Sequence, residues 1–293
     1  MFDIAFAADD AYLPHAATLV RSLLTSNAPS DVLPHLLHPP EVPVASRQRL
    51  RRMVEDAGSR IEFHEILHDS VRGLPSMGRI SQVMWYRLLL PEILPDTARV
   101  LYLDCDTLVL DSVRPLWEID LGDSEVAAVG NVFPPDLLHR TEELGLTEHG
   151  YFNSGVLLMN LDAWRSSSCA GRIASLARDH PELIIFPDQD ALNIVLAATR
   201  TPLHPRWNCQ NSFFGYPWAR EVLGADAVDE ALKNPAIVHF EGPEAVKPWH
   251  YRAPHPYQQA YLSFRAQTPW PSVRLEGEPF RARLRRSLRA VRR

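Results

Sequence analysis

The sequence predicts an α/β fold in which a mostly parallel sheet is flanked by helices. Between residues 2 and 103, short apolar runs alternate with stretches of helical spacing, and this alternation is typical of a parallel sheet covered on both faces. Polar residues that could carry chemistry directly follow the apolar runs, at the strand ends where open α/β sheets bind ligands. We therefore expect one large domain over residues 1–260 and a short irregular extension over residues 261–293.

The individual elements follow from the same patterns. The apolar run Phe2 to Ala8 predicts the first strand, and the acidic pair after it ends that strand. A helix follows because Ala17, Val20 and Leu24 recur on one helical face, while Pro14 and Asn27 fit its beginning and end. Further strands are predicted at 32–37, 61–66, 99–103, 125–130, 151–160 and 236–240, and further helices at 46–57, 81–90 and 188–198.

Composition and charge exclude several classes of protein. The apolar fraction of 46% is that of a globular protein with a sizeable core. Without the arginine-rich segment 281–293, the chain is strongly acidic, which argues against a nucleic-acid-binding protein. Three cysteines, Cys105, Cys169 and Cys209, provide neither a disulfide framework nor a zinc-binding spacing. We expect a reducing compartment, no signal peptide and no membrane-spanning helix, and hence a cytoplasmic location.

Asp104 and Asp106 form the first candidate site. They directly follow the predicted strand Val100 to Leu103, and two carboxylates at a strand end can bind Mg²⁺ or Mn²⁺, which in turn hold a diphosphate. A turn with two solvated acids is an equally common reason for this triplet. His239, near the end of the last predicted strand, would complete a metal set of two aspartates and a histidine. Lys247 is one of two lysines in the chain and could clamp phosphate, or be an ordinary surface lysine.

The same segment also permits a second enzyme class. Residues 101–109 read LYLDCDTLV, which resembles the first motif of haloacid-dehalogenase-like phosphatases. There Asp104 would be the nucleophile and Asp106 the acid/base. That chemistry needs a further lysine and a later acidic pair, but both lysines, Lys233 and Lys247, come late, and three strand–helix units precede the motif.

Two further polar clusters lie at predicted element boundaries. Asp188, Gln189 and Asp190 begin a predicted helix. Acids in this position commonly cap the helix and complement its dipole, but the cluster could also point into a ligand cleft. Asn153 opens the predicted strand at 151–160, where it could shape a turn or donate hydrogen bonds to sugar hydroxyls.

Taken together, these segments resemble glycosyltransferase family 8, from Phe2 to about His250 and in the family's order. The motifs are FAADD with Tyr12, YRL, LYLDCDTLV, LWEIDLGD, YFNSGVLLMNL with Trp164, DQDALN, HFEGP and KPWH. Each motif alone is weak, but all eight in order are highly specific. The resemblance implies a Rossmann-like GT-A fold and a retaining transferase that moves galactose or glucose from a UDP-sugar to a glycan or lipid-linked acceptor. A non-catalytic UDP-sugar-binding protein is the remaining alternative.

The resemblance also implies roles for individual residues. Mn²⁺, with Mg²⁺ as the alternative, would be held by Asp104, Asp106 and His239. The donor would be bound by Ala7, Asp9, Tyr12, Arg87, Asn153, Asp188, Gln189, Gly242 and Lys247. The candidate catalytic residues are Asp188, Gln189 and Asp190. Because Gln is a poor nucleophile, we favour attack by the acceptor on the same face of the sugar, with Asp190 as an alternative nucleophile.

Three positions depart from the family's pattern. Ala11 stands where the bacterial galactosyltransferases tend to have Asn, and Ser154 stands where Ala is common. Residues 244–246 lengthen the gap between Gly242 and Lys247. These differences put one nucleotide contact and the exact place of Lys247 in question.

The basic tail is the last predicted feature. Phe280, Leu284, Leu288 and Val291 share one helical face, with arginines around the rest. Such a segment is typical of an interfacial helix on an anionic membrane, although a frayed basic tail explains the pattern equally well. If the helix forms, the protein would be peripheral on the inner face of the membrane.

Overall fold

The computed structural model describes residues 1–76, 82–253, 255–271 and 275–278. Its strands form two sheets. The strands are β1 Phe2–Ala7, β2 Val32–His38, β3 Glu62–Glu65, β4 Arg99–Leu103, β5 Thr107–Val109, β6 Val126–Gly130, β7 Phe152–Asn160, β8 Arg200–Pro202, β9 Cys209–Gln210 and β10 Ile237–His239. The α-helices are α1 Leu13–Ser26, α2 Val44–Asp56, α3 Leu90–Ile93, α4 Arg114–Trp117, α5 Arg140–Glu143, α6 Leu161–Ser166, α7 Cys169–Asp179, α8 Pro187–Leu196, α9 Asn211–Gly215, α10 Ala219–Leu223, α11 Ala225–Lys233 and α12 Gln258–Arg265.

The larger sheet has seven strands in the order β3-β2-β1-β4-β7-β6-β8. Its neighbours are parallel except for β7, which is antiparallel to both β4 and β6. The smaller sheet has the order β5-β10-β9. The predicted α/β class with a mostly parallel sheet is therefore confirmed.

Two buried clusters cover the two faces of the large sheet. Along β1, Ile4 and Phe6 pack into the cluster that includes α1, whereas Ala5 packs into the cluster that includes α7 and α8. This alternation is the two-residue period of a strand with both faces covered. Each fully buried large apolar side chain stabilises the fold by roughly 1.5–3 kcal/mol, so the central strands form a rigid platform for the loops at their ends.

Polar side chains at both ends of α1 explain where this helix begins and ends. Asp9 Oδ1 accepts a hydrogen bond from the Tyr12 amide at 2.9 Å, and Pro14 lies in the first turn, where its missing amide proton costs nothing. At the other end, Asn27 Nδ2 donates to the Leu23 carbonyl at 2.9 Å, while its Oδ1 accepts from the Val113 amide at 3.0 Å. The loop from β1 into α1 is thereby fixed at the carboxyl edge of the sheet.

Several elements differ from the sequence predictions. Gln82–Leu89 is a 3₁₀ helix followed by α3, where one helix was predicted over 81–90, and residue 81 lies outside the described ranges. Strands β5, β8 and β9 and helices such as α7 were not predicted. The predicted boundary at residue 260 lies inside α12, whose Tyr261 is buried against Trp249. We therefore propose that the catalytic domain extends at least through α12.

Membrane contact was predicted for the tail alone. Within the described ranges, no helix combines the length and the apolar character needed to cross a bilayer. The predicted amphipathic segment 280–293 lies outside the described residues, so its membrane contact stays a prediction.

Candidate active site

The two aspartates lie in the turn that carries the chain from the large sheet to the small one. Strand β4 ends at Leu103, and β5 begins at Thr107. The Asp104 amide donates to the Gly155 carbonyl on β7 at 2.8 Å, and Thr107 Oγ1 donates to the Asp104 carbonyl at 2.8 Å. Because both sheets hold this turn, its two carboxylates have fixed positions.

The structure brings His239 to this turn. Strand β10 pairs antiparallel with β5, with His239 opposite Thr107. One potential ligand atom each from Asp104, Asp106 and His239 lies within 4.8 Å of the others. His239 Nε2 is 3.3 Å from Asp106 Oδ1. Burial alone would lower the pKa of His239, but the negative charge of Asp106 outweighs it and the pKa is raised. The three residues form a group able to bind a divalent cation.

A buried hydrogen-bond chain sets the ring orientation of His239. The Gly155 amide can only donate, and it donates to Asn153 Oδ1 at 3.0 Å. Asn208 Nδ2 donates to the same oxygen at 2.9 Å, so Asn208 Oδ1 faces His239 and accepts from its Nδ1 at 3.0 Å. A proton therefore lies on Nδ1, and Nε2 is the ring nitrogen that faces the aspartates and could ligate a metal.

One residue of this hydrogen-bond chain, Asn153, was a predicted site residue, and another, Asn208, was not. Asn153 was predicted to shape a turn or to bind a sugar hydroxyl; in the structure its oxygen accepts from Asn208 and Gly155, and its amide donates to Asn131 at 3.3 Å. Asn208 was not predicted. Its only sequence signal is an amide between Trp207 and Cys209, both buried.

Gly155 gives His239 the space to lie against β7. A Cβ atom at this position would lie 2.1 Å from His239 Cε1 and within 2.8 Å of both ring nitrogens. A glycine inside a strand is the sequence signal of such a close approach, and it would have identified Gly155 as part of the site.

Lys247 lies next to the acidic pair. Its Nζ contacts Asp106 Oδ2 and donates to the Phe240 carbonyl at 2.9 Å. Burial alone would raise the pKa of the Asp106 carboxyl, but the charges of Lys247 and His239 hold it well below its ordinary value. Gly242 permits the turn that returns the chain to this point, since its φ is +97°. The structure thus brings Lys247 beside the carboxylates, and its binding of phosphate stays a prediction.

Arg87 connects the aspartate turn to the start of α8. Its guanidinium is fully buried, with Nη2 2.8 Å from Asp104 Oδ1 and 3.2 Å from Asp188 Oδ2. It also lies over the Tyr102 ring at 4.1 Å. Burial would lower the pKa of Arg87, but the two carboxylates, Asp188 first, raise it, so the side chain stays charged.

The three polar residues that begin α8 have different surroundings. Asp188 lies beside Arg87, and burial raises the pKa of its carboxyl. Gln189 Oε1 accepts from the amide and, at 3.3 Å, from the hydroxyl of Ser154. Because the amide can only donate, this contact directs the Gln189 NH₂ group away from Ser154.

Asp190, in contrast, is completely buried among donors. Its carboxylate accepts hydrogen bonds from Arg140 Nη2 and the Tyr151 hydroxyl, both at 2.7 Å, and from the amides of Ile185 and Phe186 at 2.7 and 2.8 Å. Three of these four donors bind Oδ2 and one binds Oδ1, so the carboxylate is engaged in holding the start of α8. This arrangement favours the helix-cap interpretation of Asp190 over the nucleophile interpretation.

Tyr12 connects the remaining predicted donor residues. Ala7 and Asp9 lie where β1 ends, and the Ala7 carbonyl faces the Cys105 thiol at 3.1 Å. The Tyr12 hydroxyl donates to Glu244 Oε1 at 2.9 Å. Burial, reinforced by Glu244, raises the pKa of Tyr12, so it remains a neutral donor. The lengthened segment at 244–246 thus closes onto the loop after β1.

Comparisons with known proteins agree with this architecture. A family model described as glycosyl transferase family 8 matches residues 3–253. General stress protein A of Bacillus subtilis (strain 168) is 31% identical, covering 92% of this chain and 95% of the relative. The lipopolysaccharide glucosyltransferase WaaO of Escherichia coli (strain K12) is 27% identical, covering 93% and 80%. The solved structure of galactosyltransferase LgtC with donor and acceptor sugar analogs is 27% identical, with a TM-score of 0.82, and covers 96% of this chain and 99% of that one.

Proposed function

The chain belongs to glycosyltransferase family 8, and from that premise we propose that it transfers galactose or glucose from a UDP-sugar, with retention, to a glycan or lipid-linked acceptor. Family membership makes it a glycosyltransferase with the GT-A fold. The relatives include a lipopolysaccharide glucosyltransferase and a galactosyltransferase, which supports a hexose donor and a glycan or lipid acceptor. The match includes Asp104 and Asp106, so the phosphatase alternative is not supported.

The observation that carries the proposal is the convergence of Asp104, Asp106 and His239, with Nε2 of the histidine directed at the acids. Two carboxylates and one imidazole suit a divalent cation. Mg²⁺ strongly prefers oxygen, so the histidine favours Mn²⁺. When bound here, such a cation would supply Lewis-acid neutralisation of the diphosphate leaving group.

Lys247 provides the second positive charge for the leaving group. Its ammonium lies beside Asp106, at the edge of the metal group, where it can donate to phosphate oxygens as the charge on the leaving group grows. The turn through Gly242 places it there. At the other end of the nucleotide, Ala7, Asp9 and Tyr12 would hold the uracil, with Tyr12 fixed by Glu244.

The donor sugar would lie between Arg87 and the start of α8. Asp188 can accept hydrogen bonds from sugar hydroxyls, and the Gln189 NH₂ group, directed away from Ser154, can donate to them. Arg87 positions both carboxylates by binding Asp104 and Asp188 together. Asn153 contributes by orienting His239 through Asn208.

Retention is best explained by attack of the acceptor on the same face of the sugar. Gln189 is a poor nucleophile, and Asp190 is enclosed by Arg140 and Tyr151. Positive charge that develops on the ring would be balanced by Asp188, and the departing diphosphate would take the proton of the acceptor hydroxyl. These roles make Asp188 and Gln189 the catalytic residues of the proposal.

The experiment that tests the function is UDP release from a panel of UDP-sugars, with Mn²⁺ and with EDTA, without an added acceptor. We expect slow, metal-dependent release from one sugar, abolished in Asp106→Asn. The control is Asp111→Asn, an exposed acid paired with Arg206 near the same strand. If UDP binds but no sugar is released even with added glycan acceptors, the chain is a binding protein, and if UDP does not bind, the proposal is wrong.

A further inference from the structure

A second group of metal-ligating side chains lies on strands β2 and β3, away from the aspartate turn. We propose that His35, Glu62 and His64 bind a divalent transition-metal ion, with Zn²⁺ as the best fit. One potential ligand atom from each residue lies within 4.8 Å of the others. The cysteine spacing gave no sign of zinc, because these ligands are brought together by strand pairing alone.

The register of the sheet explains the convergence. Strand β3 is the edge strand and pairs in parallel with β2, with His35 opposite Glu62 and Leu37 opposite His64. Glu62 and His64 are two residues apart, so they lie on the same face of the sheet. Asp3, on β1, belongs to this face as well, because its oxygen reaches His35.

The spacing of the ligand atoms suits a tetrahedral ion. His35 Nδ1 is 3.1 Å from His64 Nε2 and 3.6 Å from Glu62 Oε2. Zinc bonds of about 2.0–2.2 Å in tetrahedral geometry place neighbouring ligand atoms about 3.3–3.5 Å apart. The two distances from His35 lie on either side of that value, so each of these pairs needs movements of only a few tenths of an ångström to share a cation. A water molecule would complete the four ligands.

Asp3 prepares His35 for this role. An ionised carboxylate only accepts, so the 3.0 Å contact places the proton of His35 on Nε2 and leaves the lone pair on Nδ1. A carboxylate behind a ligating histidine is the common partner in zinc sites, where it fixes the ring and increases its basicity. His35 is 2% exposed and therefore held in place, whereas Glu62 is half-exposed and opens the site to solvent.

The donor set distinguishes this group from the first one. Two imidazoles and one carboxylate favour Zn²⁺ over Mn²⁺ and Mg²⁺, whereas the two aspartates of the first group favour the oxygen-seeking ions. A hydrogen bond from His64 to His35 would explain their contact without a metal, and the experiment separates the two explanations. A bound ion would join the edge strand β3 to β2.

The test is calorimetric titration of full-length protein with zinc chloride in an Asp104→Asn, Asp106→Asn background, which removes the first group. We expect one equivalent of Zn²⁺. His64→Ala or Glu62→Gln should abolish it or weaken it at least tenfold, and Asp3→Asn should weaken it about 10–100-fold. Glu62 is half-exposed, so Glu62→Gln should fold normally. A loss of zinc binding in this variant would therefore report lost ligation and not failed folding. His68→Ala is the matched control, since that exposed histidine also contacts a glutamate, Glu41, and it should leave the equivalent unchanged.

A structural readout completes the test. X-ray absorption at the zinc edge should show two imidazole nitrogens at about 2.0–2.1 Å. Absence of a zinc equivalent, or an equivalent that survives both His64→Ala and Glu62→Gln, would overturn the proposal. His64→Ala in the otherwise unchanged protein should keep its transferase activity, because strands β2 and β3 carry none of the donor-binding residues. Failure of the zinc proposal would therefore leave the proposed transferase function unaffected, and failure of the transferase proposal would leave the zinc site unaffected.

Discussion

Gly155 lies against the ring of His239, the proposed metal ligand. We expect Gly155→Ala to lower Mn²⁺-dependent UDP release about 100-fold, because the new methyl group would lie 2.1 Å from the ring of His239 and displace it, and a shift of about 1 Å at a reacting centre can cost that much. Initial rates against Mn²⁺ concentration measure the effect.

Gly171→Ala is the control for that substitution. Gly171 lies on an exposed position of α7, and a Cβ there meets nothing within 4 Å. It should leave turnover unchanged and add roughly 0.5–1 kcal/mol of stability, since alanine favours a helix. Full activity with ordinary Mn²⁺ dependence in Gly155→Ala would show that His239 does not bind the metal.

At this scale the sequence could predict side chains that carry chemistry, but not those that orient them. Asp104, Asp106 and His239 stand at predicted strand ends, and the structure brings them together. Asn208 acts through a hydrogen bond to His239 that exists only once β9 and β10 are paired. No spacing along the chain contains that information, because the two residues are 31 positions apart.

Asp190 lies in the first turn of α8, and this element gives the second prediction. We expect Asp190→Asn to destabilise the protein by about 3–5 kcal/mol, because Arg140 would lose its buried partner. Turnover per folded molecule at low temperature should be largely retained. Urea unfolding and low-temperature rates measure both. The exposed Glu182→Gln, in the preceding turn, should change neither. A stable but inactive Asp190→Asn would restore Asp190 as the nucleophile.

Glu125, just before β6, gives a pH-dependent prediction. It accepts hydrogen bonds from Ser167, from Thr199 at 2.7 Å and from Arg172 at 3.1 Å. Burial would raise the pKa of Glu125, but these donors outweigh it and the pKa is lowered. Its stabilisation is therefore present above the unfolded pKa, about 4.3, and is lost as the pH falls through the lower folded pKa.

We therefore expect Glu125→Gln to cost about 1.5–3 kcal/mol at pH 7, and the difference from the unsubstituted protein to shrink below pH 4. Urea midpoints measured from pH 7 to pH 3 give the comparison. A difference that stays constant over this range would show that the charge of Glu125 contributes nothing.

Elements with a clear period or a long apolar run could be predicted, and the short ones could not. Strands β5, β8 and β9 contain three, three and two residues, too few for a two-residue alternation to be recognised. Residues 82–89 carry apolar residues at a spacing that fits both α and 3₁₀ geometry. In the 3₁₀ helix that forms, Trp85 and Arg87 are both buried.

The proposed metal ligands lie in the turn after β4 of the large sheet and on β10 of the small one, so metal binding should stabilise the whole molecule. Mn²⁺ at about 100 times its Kd should add about 2.7 kcal/mol to the free energy of unfolding, because the ion would join the turn after β4 to β10. Thermal unfolding with and without Mn²⁺ measures this gain, and EDTA should reverse it. The gain should vanish in Asp106→Asn and persist in Asp111→Asn. An equal gain in both variants would place the stabilising ion elsewhere.

The sequence could predict the overall class because strand–helix alternation is a local property of the chain. It could not predict that β7 runs antiparallel to its neighbours, since a continuous apolar run reads the same in either direction. It also could not separate the small sheet from the large one, because β5 and β10 meet only through contacts across the chain.

The pairing of β5 with β10 also sets the order of events during synthesis. Lys247 follows Asp106 by 141 residues, which a ribosome adding about 5–20 residues per second needs roughly 7–28 s to make. Until then the acidic turn lacks its lysine, and until residue 239 is made it also lacks its histidine, so the growing chain cannot assemble the site. A premature stop codon between Pro202 and Lys247 should therefore give a null allele, even though the seven strands of the large sheet have already been translated.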